Sequence, residues 1–234
     1  MVAMHLGRAT WPEIAATQSG CLLAVPVGSL EQHGPHLPLD TDTRIAVELA
    51  ERLSRIRPDV VVATAVAYGA SGEHAAFPGT LLINHTVLAE LLIELVRSAR
   101  SAFGGVVLVS THGGNHEGLS LVGEQCRADG DQVLIWTASP PQSDAHAGRT
   151  ETSLMLAIDP SVVRMDLAEA GSTEPLEVIL PRLRAEGVRP ISSNGVLGDP
   201  QGASADEGER LLAAMTGELA DSIATRWANA GHAT

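Results

Sequence analysis

Short apolar runs alternate with longer amphipathic stretches along most of the chain. Four apolar runs, each ending in polar residues rich in glycine or serine, predict buried strands at 21–29, 59–69, 105–115 and 131–139, the third of which runs into a glycine-rich loop. Apolar positions spaced three and four residues apart, together with capping residues and closing glycines, predict helices at 42–56, 84–103, 116–130, 150–159 and 204–229. Residues 171–203 are rich in glycine, proline and serine, which predicts a long and partly irregular segment.

This alternation of strands and helices predicts the fold class. Strands that alternate with helices form a mostly parallel sheet with helices on both faces, so we expect an α/β three-layer sandwich. The sequence has no internal repeat and no clear linker, and its 234 residues suit one large domain, so we expect a single domain over 1–234. In such sheets, functional sites form beyond the carboxyl ends of the strands.

Composition narrows the classes of partner and compartment. Hydrophobic residues make up 44% of the chain and aromatic residues only 3%, so aliphatic side chains must build the core. The net charge of −13 argues against binding to nucleic acid or to an anionic membrane surface. Cys21 and Cys126 do not make a disulfide framework. With no signal-like apolar region near the start and no apolar stretch of ~18 residues, we expect a cytoplasmic protein.

Acidic and histidine residues gather where the predicted strands end. In "SLEQHGPHLPLDTD" (29–42), Glu31 and His33 lie two positions apart, which places them on one side of an extended segment. Asp42 begins the next predicted helix, and His112 follows the third strand. Further along, "DAHAGRTETS" supplies the other candidates, His146 and Glu151.

Each of these residues alone is ordinary for a solvated loop. Their joint placement on one edge of a sheet is not, and carboxylates with imidazoles are the ligands of divalent metal ions.

Other residues near this edge allow two interpretations. His74, in "SGEHAAFPGT", either orients a substrate or lies in a plain turn built by Pro78 and Gly79. His116 and Glu117 are either ligands or the first turn of a helix, where the helix dipole favours Glu.

Glycines also collect at the predicted edge. Gly113 and Gly114 let the backbone pass close to a bound ion. The glycines at 69–72, 113–114 and 202 predict an open, glycine-rich entrance for a substrate.

Four ordered motifs carry a family resemblance. "VPVGSLEQHGPHLPLDTD", "EHAAFPGT", "STHGGN" and "DAHAGRTETSLMLAIDP", between about residues 11 and 165, resemble the successive motifs of the creatininase family. This resemblance implies a metal-dependent amidohydrolase with a compact α/β fold, often assembled as a hexamer. It also implies two divalent ions bridged by an aspartate and a water. Within the family, the motifs look closest to the peptidases of the mycofactocin system, which remove a C-terminal dipeptide from a modified precursor peptide.

The resemblance implies a role for each candidate residue. Glu31 and His33 would each hold one ion, and Asp42 would bridge both. His112 would complete the ion shared with Glu31, and Glu151 would be the remaining carboxylate ligand. His146 would handle protons near the substrate, and His74, Gly113 and Gly114 would contact the substrate.

The chain also departs from creatininase itself. That enzyme carries a tyrosine and a glutamate where this chain has Gly113 and Gly114, so one ligand is missing and Glu151 must do more. The aromatic residues that sandwich creatinine also have no evident counterpart, which makes creatinine a poor substrate.

The sequence thus predicts a dinuclear metal hydrolase acting on the C–N bond of a small peptide. Two alternatives stay open: a family member that hydrolyses a small cyclic amide or formamide, and a non-catalytic partner protein of the same fold. A nucleotide-binding reading of "HGGN" lacks the glycine context it would need. The mixed ligand set suits Zn, Fe(II), Mn and Co alike. We expect a homo-oligomer, with the hexamer implied by the resemblance.

Overall fold

A computed structural model describes residues 3–17, 20–140 and 143–228. Its centre is one sheet of five strands in the order β1-β3-β2-β4-β5, and every neighbouring pair is parallel. The strands are β1 Met4–His5, β2 Leu22–Val27, β3 Val60–Val62, β4 Gly105–Ser110 and β5 Val133–Thr137. The α-helices are α1 Trp11–Ala15, α2 Thr41–Ile56, α3 His85–Ala99, α4 His116–Asp129, α5 Arg149–Ile158, α6 Leu176–Glu186 and α7 Ala205–Ala228.

Two apolar clusters, one on each face of the sheet, build the core. Alternate residues of a strand point to opposite faces, so Leu22 of β2 packs in the cluster that includes α2, α5 and α7. Its neighbour Leu23 packs in the cluster that includes α3 and α4. The central strands β2 and β4 are buried on both faces, as parallel strands between two helical layers must be. This arrangement confirms the predicted α/β sandwich.

The observed elements follow the sequence pattern, with three differences. The strand predicted at 59–69 is too long, because β3 ends at Val62 and Val66 makes only a single bridge to Val27. The strand β1 and the short helix α1 were not predicted. The segment 171–203 contains α6, whose Ile179 and Leu183 pack in a small separate apolar cluster. The predicted helix at 204–229 is observed as α7, and residue 229 lies outside the described residues.

The parallel sheet brings the loops after β2, β3, β4 and β5 to one edge. A further stretch, residues 187–198, crosses the same edge and is called the crossing segment below. Its Val188 N–H donates to Glu73 O at 2.8 Å, and Leu197 exchanges backbone hydrogen bonds with His146. The crossing segment therefore joins the loop after β3 to the loop after β5. None of the described helices is long and apolar enough to cross a membrane.

Candidate metal centre

The loop after β2 supplies two fully buried side chains, those of Glu31 and His33. His33 Nδ1 lies 3.1 Å from the backbone oxygen of Glu31 and donates to it. This hydrogen bond assigns the proton of the neutral ring to Nδ1, so in that form, the one that binds a metal, the lone pair is on Nε2. A metal-binding histidine is commonly held in this way by a backbone carbonyl.

Asp42 occupies the first turn of α2 and faces two imidazoles at once. Its Oδ1 lies 3.5 Å from His33 Nε2, and its Oδ2 lies 3.3 Å from His112 Nδ1. Ser29 Oγ donates to Oδ2 at 2.6 Å, which fixes the carboxylate in this orientation. The two oxygens of Asp42 are thus directed at separate histidines, an arrangement suited to bridging two ions.

His112 follows β4 and joins Asp42 to Glu31. Its Nε2 donates to Ala70 O at 3.2 Å and also lies 3.2 Å from Glu31 Oε2. The Nε2 proton leaves the Nδ1 lone pair free on the side of Asp42. A Cβ at Gly114 would approach His112 Nε2 to 2.4 Å. Gly114 is therefore required for packing against this ring.

Glu151 reaches the site from the first turn of α5. Its Oε2 accepts a hydrogen bond from Ala147 N at 2.6 Å and lies 3.9 Å from His33 Nε2. Ala147 has a φ of +52°, which makes it the one non-glycine residue with positive φ among the described residues. Asp144 accepts hydrogen bonds from the N–H groups of Arg149 and Thr150 and so stabilises the start of α5.

These residues form three overlapping groups whose ligand atoms lie within 4.8 Å of one another. Glu31, Asp42 and His112 make one group, and His33, Asp42 and Glu151 make a second. The third combines Glu31 and His33 with His146. The first two groups share Asp42, so the site offers two adjacent sets of carboxylate and imidazole ligands.

The unpaired atoms of this cluster fit divalent cations. Both carboxylate oxygens of Glu31 and the Nε2 of His33 are buried and have no hydrogen-bond partner among the described residues. Buried polar atoms are nearly always paired, so such a concentration needs an explanation. Oxygen and imidazole nitrogen atoms directed at common points are the donors that Zn, Mn and Fe(II) accept. The residues present therefore fit the metal ions that the resemblance implies.

Two carboxylates of the cluster have a raised pKa, and burial is the main cause. Burial raises the pKa of Glu31 to about 7, with a smaller contribution from the nearby Asp42 and against the opposing effect of His112. Burial also raises the pKa of Glu151 to about 7.

For His33 and Asp42, neighbouring opposite charges outweigh the effect of burial on the pKa. Burial alone would lower the pKa of His33, but Asp42, Glu151 and Glu31 together raise it to about 10. Burial opposes ionisation of Asp42, yet His33 and His112 lower its pKa to about 2. The buried carboxylates thus favour positive charge at this position, whether from the imidazolium form of these rings or from a bound cation.

Two further histidines, His74 and His146, lie beside Glu31. His146 Nδ1 is 3.8 Å from Glu31 Oε1, and His74 Nε2 is 3.4 Å from the same oxygen. Their rings are neighbours, with centroids 4.4 Å apart. Burial, followed by the charge of neighbouring imidazoles, lowers the pKa of His74 to about 3 and lowers the pKa of His146 in the same direction. Burial thus favours the neutral form of both rings.

The residues predicted from sequence come together at this edge. The five candidate ligands, His146 and His74 all lie in one cluster, and only Glu151 is appreciably exposed, at 20% of its side chain. His116 and Glu117 do not join it: both are exposed at the start of α4.

The open glycine-rich entrance is only partly as predicted. Gly72 and Gly113 face open space, but a Cβ at Gly69 would lie 2.7 Å from Gly28 O, so Gly69 is a packing residue.

Sequence reasoning missed three residues that support the cluster: Ser29, Gln32 and Asp144. Gln32 lies between Glu31 and His33, and an extended segment would direct it away from them. The chain is not a regular strand there, and Gln32 turns towards the histidines. Asp144 precedes α5 by more than a cap residue normally does, so its position alone gave no signal.

The family model for creatininase, described as creatinine amidohydrolase, matches residues 7–223. A mycofactocin precursor peptide peptidase of Mycolicibacterium smegmatis is 48% identical over 88% of this chain and 85% of the relative. A protein of the same description from Mycobacterium tuberculosis is 43% identical over 97% of this chain and 92% of the relative. The solved structure "Creatininase Mn" matches with a TM-score of 0.76 and 25% identity, over 95% of this chain and 98% of that one.

Proposed function

The chain belongs to the creatininase family, and on this basis we propose that it is a metal-dependent peptidase acting on a mycofactocin precursor peptide. The relatives that are 43–48% identical carry that description. The creatininase structure compared above is only 25% identical. The small number of aromatic residues also argues against a creatinine site. We propose that the reaction releases a C-terminal dipeptide from a modified small peptide.

The observation that carries a hydrolytic function is the pair of ligand groups joined at Asp42. In this proposal two divalent ions are bound by each chain. Glu31 and His112 would hold one ion and His33 and Glu151 the other, with Asp42 shared by both groups. The buried, unpaired atoms of Glu31 and His33 support this assignment. When bound, such ions lower the pKa of a water molecule and polarise the carbonyl of an amide.

The neutral His146 is placed to move the proton of the reaction. In the proposed sequence, its Nδ1 accepts a proton as the water oxygen bonds to the scissile carbonyl carbon. The same proton passes to the leaving nitrogen as the C–N bond breaks, which is general base and then general acid catalysis. His74, with Gly113 and Gly114 at the same edge, contacts the peptide in this proposal. Burial of the cluster excludes bulk water from these steps.

The test of this function compares three substrates with the metal-loaded protein. The full precursor peptide, a peptide shortened from its amino end, and creatinine are incubated separately, and the products are followed by mass. Dipeptide release from the full precursor, with lower turnover on the shortened peptide, supports the proposal. Remote residues of the substrate should contribute to turnover because their binding energy orients the scissile amide. Efficient creatinine hydrolysis with intact peptide would establish the small-amide alternative instead.

The proposal also covers the identity of the metal, the number of chains in the assembly and the cellular compartment. We propose Zn, Fe or Mn as the metal, and the match to "Creatininase Mn" supports manganese among these. We also propose a homo-oligomer, with six chains as the expected number, in the cytoplasm. On α3, Val87, Leu91 and Leu95 are each 40–44% exposed and recur every fourth residue, which supports an interface between chains. Light scattering on the purified protein measures the number of chains directly.

A further inference from the structure

Gln32 lies at the centre of the buried histidines and makes hydrogen bonds with its whole side chain. Its amide is only 4% exposed. Its Oε1 accepts from Gly34 N at 2.9 Å, and its Nε2 lies 2.9 Å from both His74 Nδ1 and Gly195 O. If the oxygen and nitrogen of the amide were exchanged, the nitrogen would face Gly34 N, which is also a donor. The oxygen would face Gly195 O, which is also an acceptor. The network therefore fixes the orientation of the Gln32 amide.

Counting the donors on Gln32 assigns the proton on His74. An amide nitrogen has two hydrogens. One goes to Gly195 O, which can only accept, and the other goes to His74 Nδ1. His74 Nδ1 must therefore be unprotonated, and the proton of the neutral ring resides on Nε2. That N–H points towards Glu31 Oε1, at 3.4 Å.

His146 is oriented by the same residue, but through its backbone. His146 Nε2 lies 2.8 Å from Gln32 O, a carbonyl that can only accept, so this nitrogen is protonated. The 3.1 Å contact between His146 Nε2 and Gln32 Nε2 is consequently a contact of two donors and not a hydrogen bond. His146 Nδ1 is left with a lone pair on the side of Glu31.

We propose that Gln32 is a positioning residue that makes His74 present an N–H, and His146 a lone pair, to the metal-binding side of the cluster. The two rings carry their proton on the same atom, Nε2, but face Glu31 with opposite edges. This division gives each ring one task in the proposed peptidase, on which the inference rests. His146 is the proton acceptor, and His74 is a hydrogen-bond donor for a substrate oxygen or for Glu31.

The crossing segment completes the support of Gln32. Gly195 has a φ of +85°, and a Cβ there would lie 1.8 Å from Gln32 Oε1. Only glycine permits this backbone to pass so close to the amide. The crossing segment therefore reaches the site through Gln32. Gln32 links this segment to the histidines, and the link requires no contact between the segment and the proposed metal ligands.

The test reads the tautomers directly by long-range ¹⁵N–¹H NMR on protein labelled at histidine. It uses the wild type and two variants, Gln32→Glu and Gln32→Leu. The His74 signals are assigned with His74→Gln and the His146 signals with His146→Ala. In the wild type we expect both rings as the Nε2–H form. In Gln32→Glu, a carboxylate replaces the donor, so His74 should change to the Nδ1–H form. His146 should stay unchanged in both variants, because its partner is the backbone of residue 32.

Metal content and kinetics separate a positioning role from a structural one. Gln32→Glu and Gln32→Leu should keep their bound metal while kcat falls on the order of 10²-fold, the effect of losing one preorganised donor. The matched controls are Gln201→Glu and Gln201→Leu at an exposed position before α7. These should leave tautomers and kcat unchanged.

Two results would overturn the inference: a wild-type His74 that carries its proton on Nδ1, or a Gln32→Glu spectrum identical to that of the wild type. If Gln32→Leu does not fold, the His74 tautomers of the wild type and of Gln32→Glu are sufficient to test the inference. The NMR readout needs no substrate, so it is independent of the peptidase proposal. Failure to cleave the precursor peptide, with the expected tautomers observed, would contradict the proposed function alone.

Discussion

His33 Nε2 lies 3.9 Å from Glu151 Oε2, so the loop after β2 meets the first turn of α5 across the site. This contact completes the second ligand group, in which Glu151 joins His33 and Asp42. Glu151 accepts a hydrogen bond from the N–H of Ala147, which holds its carboxylate in place. Asp144 stabilises the start of the same helix by accepting from the N–H of Arg149. The second proposed ion therefore depends on the position of α5, whereas the first depends on the loops after β2 and β4.

Replacing Glu151 by Gln should remove one ion and keep the other. The amide is a weaker ligand than the carboxylate, while Glu31 and His112 are unchanged. Elemental analysis should fall from two ions to one per chain, and turnover should be largely lost. Glu117→Gln, the same change at an exposed position on α4, should retain two ions. Two tightly bound ions in Glu151→Gln would show that this residue is not a ligand.

Asp42→Ala should lose both ions and nearly all activity. Asp42 is the one residue shared by the first two ligand groups, and its oxygens face His33 and His112 separately. Glu31→Gln should chiefly remove the ion of the first group. Metal content and turnover are measured on the same samples. If Asp42→Ala retained both ions and full turnover, the bridging role would be wrong.

His146→Ala should keep both ions and lower turnover by ~10²–10⁴-fold, the usual contribution of a positioned general acid or base. Its neutral ring directs Nδ1 towards Glu31. Because Glu31, His33 and His146 also form a potential ligand group, metal content is the deciding measurement. Loss of an ion in this variant would identify His146 as a ligand instead.

Removing the ions with a chelator should destabilise the fold. The buried carboxylates of Glu31, Asp42 and Glu151 would lose the cations that compensate their charge. At a metal concentration 100 times Kd, one bound ion contributes about 2.7 kcal/mol to the free energy of unfolding. Thermal unfolding should show a lower Tm after chelation and recovery when Zn or Mn is added back. An unchanged Tm, with chelation verified by elemental analysis, would contradict a structural contribution from the ions.

Two glycines of α7 should respond oppositely to replacement by alanine. A Cβ at Gly208 would lie 1.9 Å from Ser153 O, whereas a Cβ at Gly217 would meet nothing within 4 Å. Gly208→Ala should force α5 and α7 apart and cost about 1–3 kcal/mol. Gly217→Ala should stabilise the helix by roughly 0.5–1 kcal/mol, because alanine is the better helix former. Chemical denaturation measures both, and equal effects would refute the close packing at Gly208.

The sequence by itself determined the order of the main elements and most of the candidate site. Helical and strand periodicities are local properties, so α2, α4 and β2 were predicted close to their observed bounds. Glu31, His33 and Asp42 lie within one loop and the helix that follows it, so their proximity is almost guaranteed by the chain. The quoted motifs also carried the family assignment, because a motif is a local pattern too.

Only the tertiary structure decided which distant residues meet. Helix α6 is stabilised by packing against Phe77 and Ile191 rather than by a strong pattern of its own, so the sequence pattern did not predict it. The approach of Glu151 to His33 depends on how α5 packs in the core beside the sheet. The approach of the crossing segment to Gln32 depends on the small separate apolar cluster that contains α6. Such contacts are stabilised by the collapse of the whole core, and no spacing along the chain specifies them.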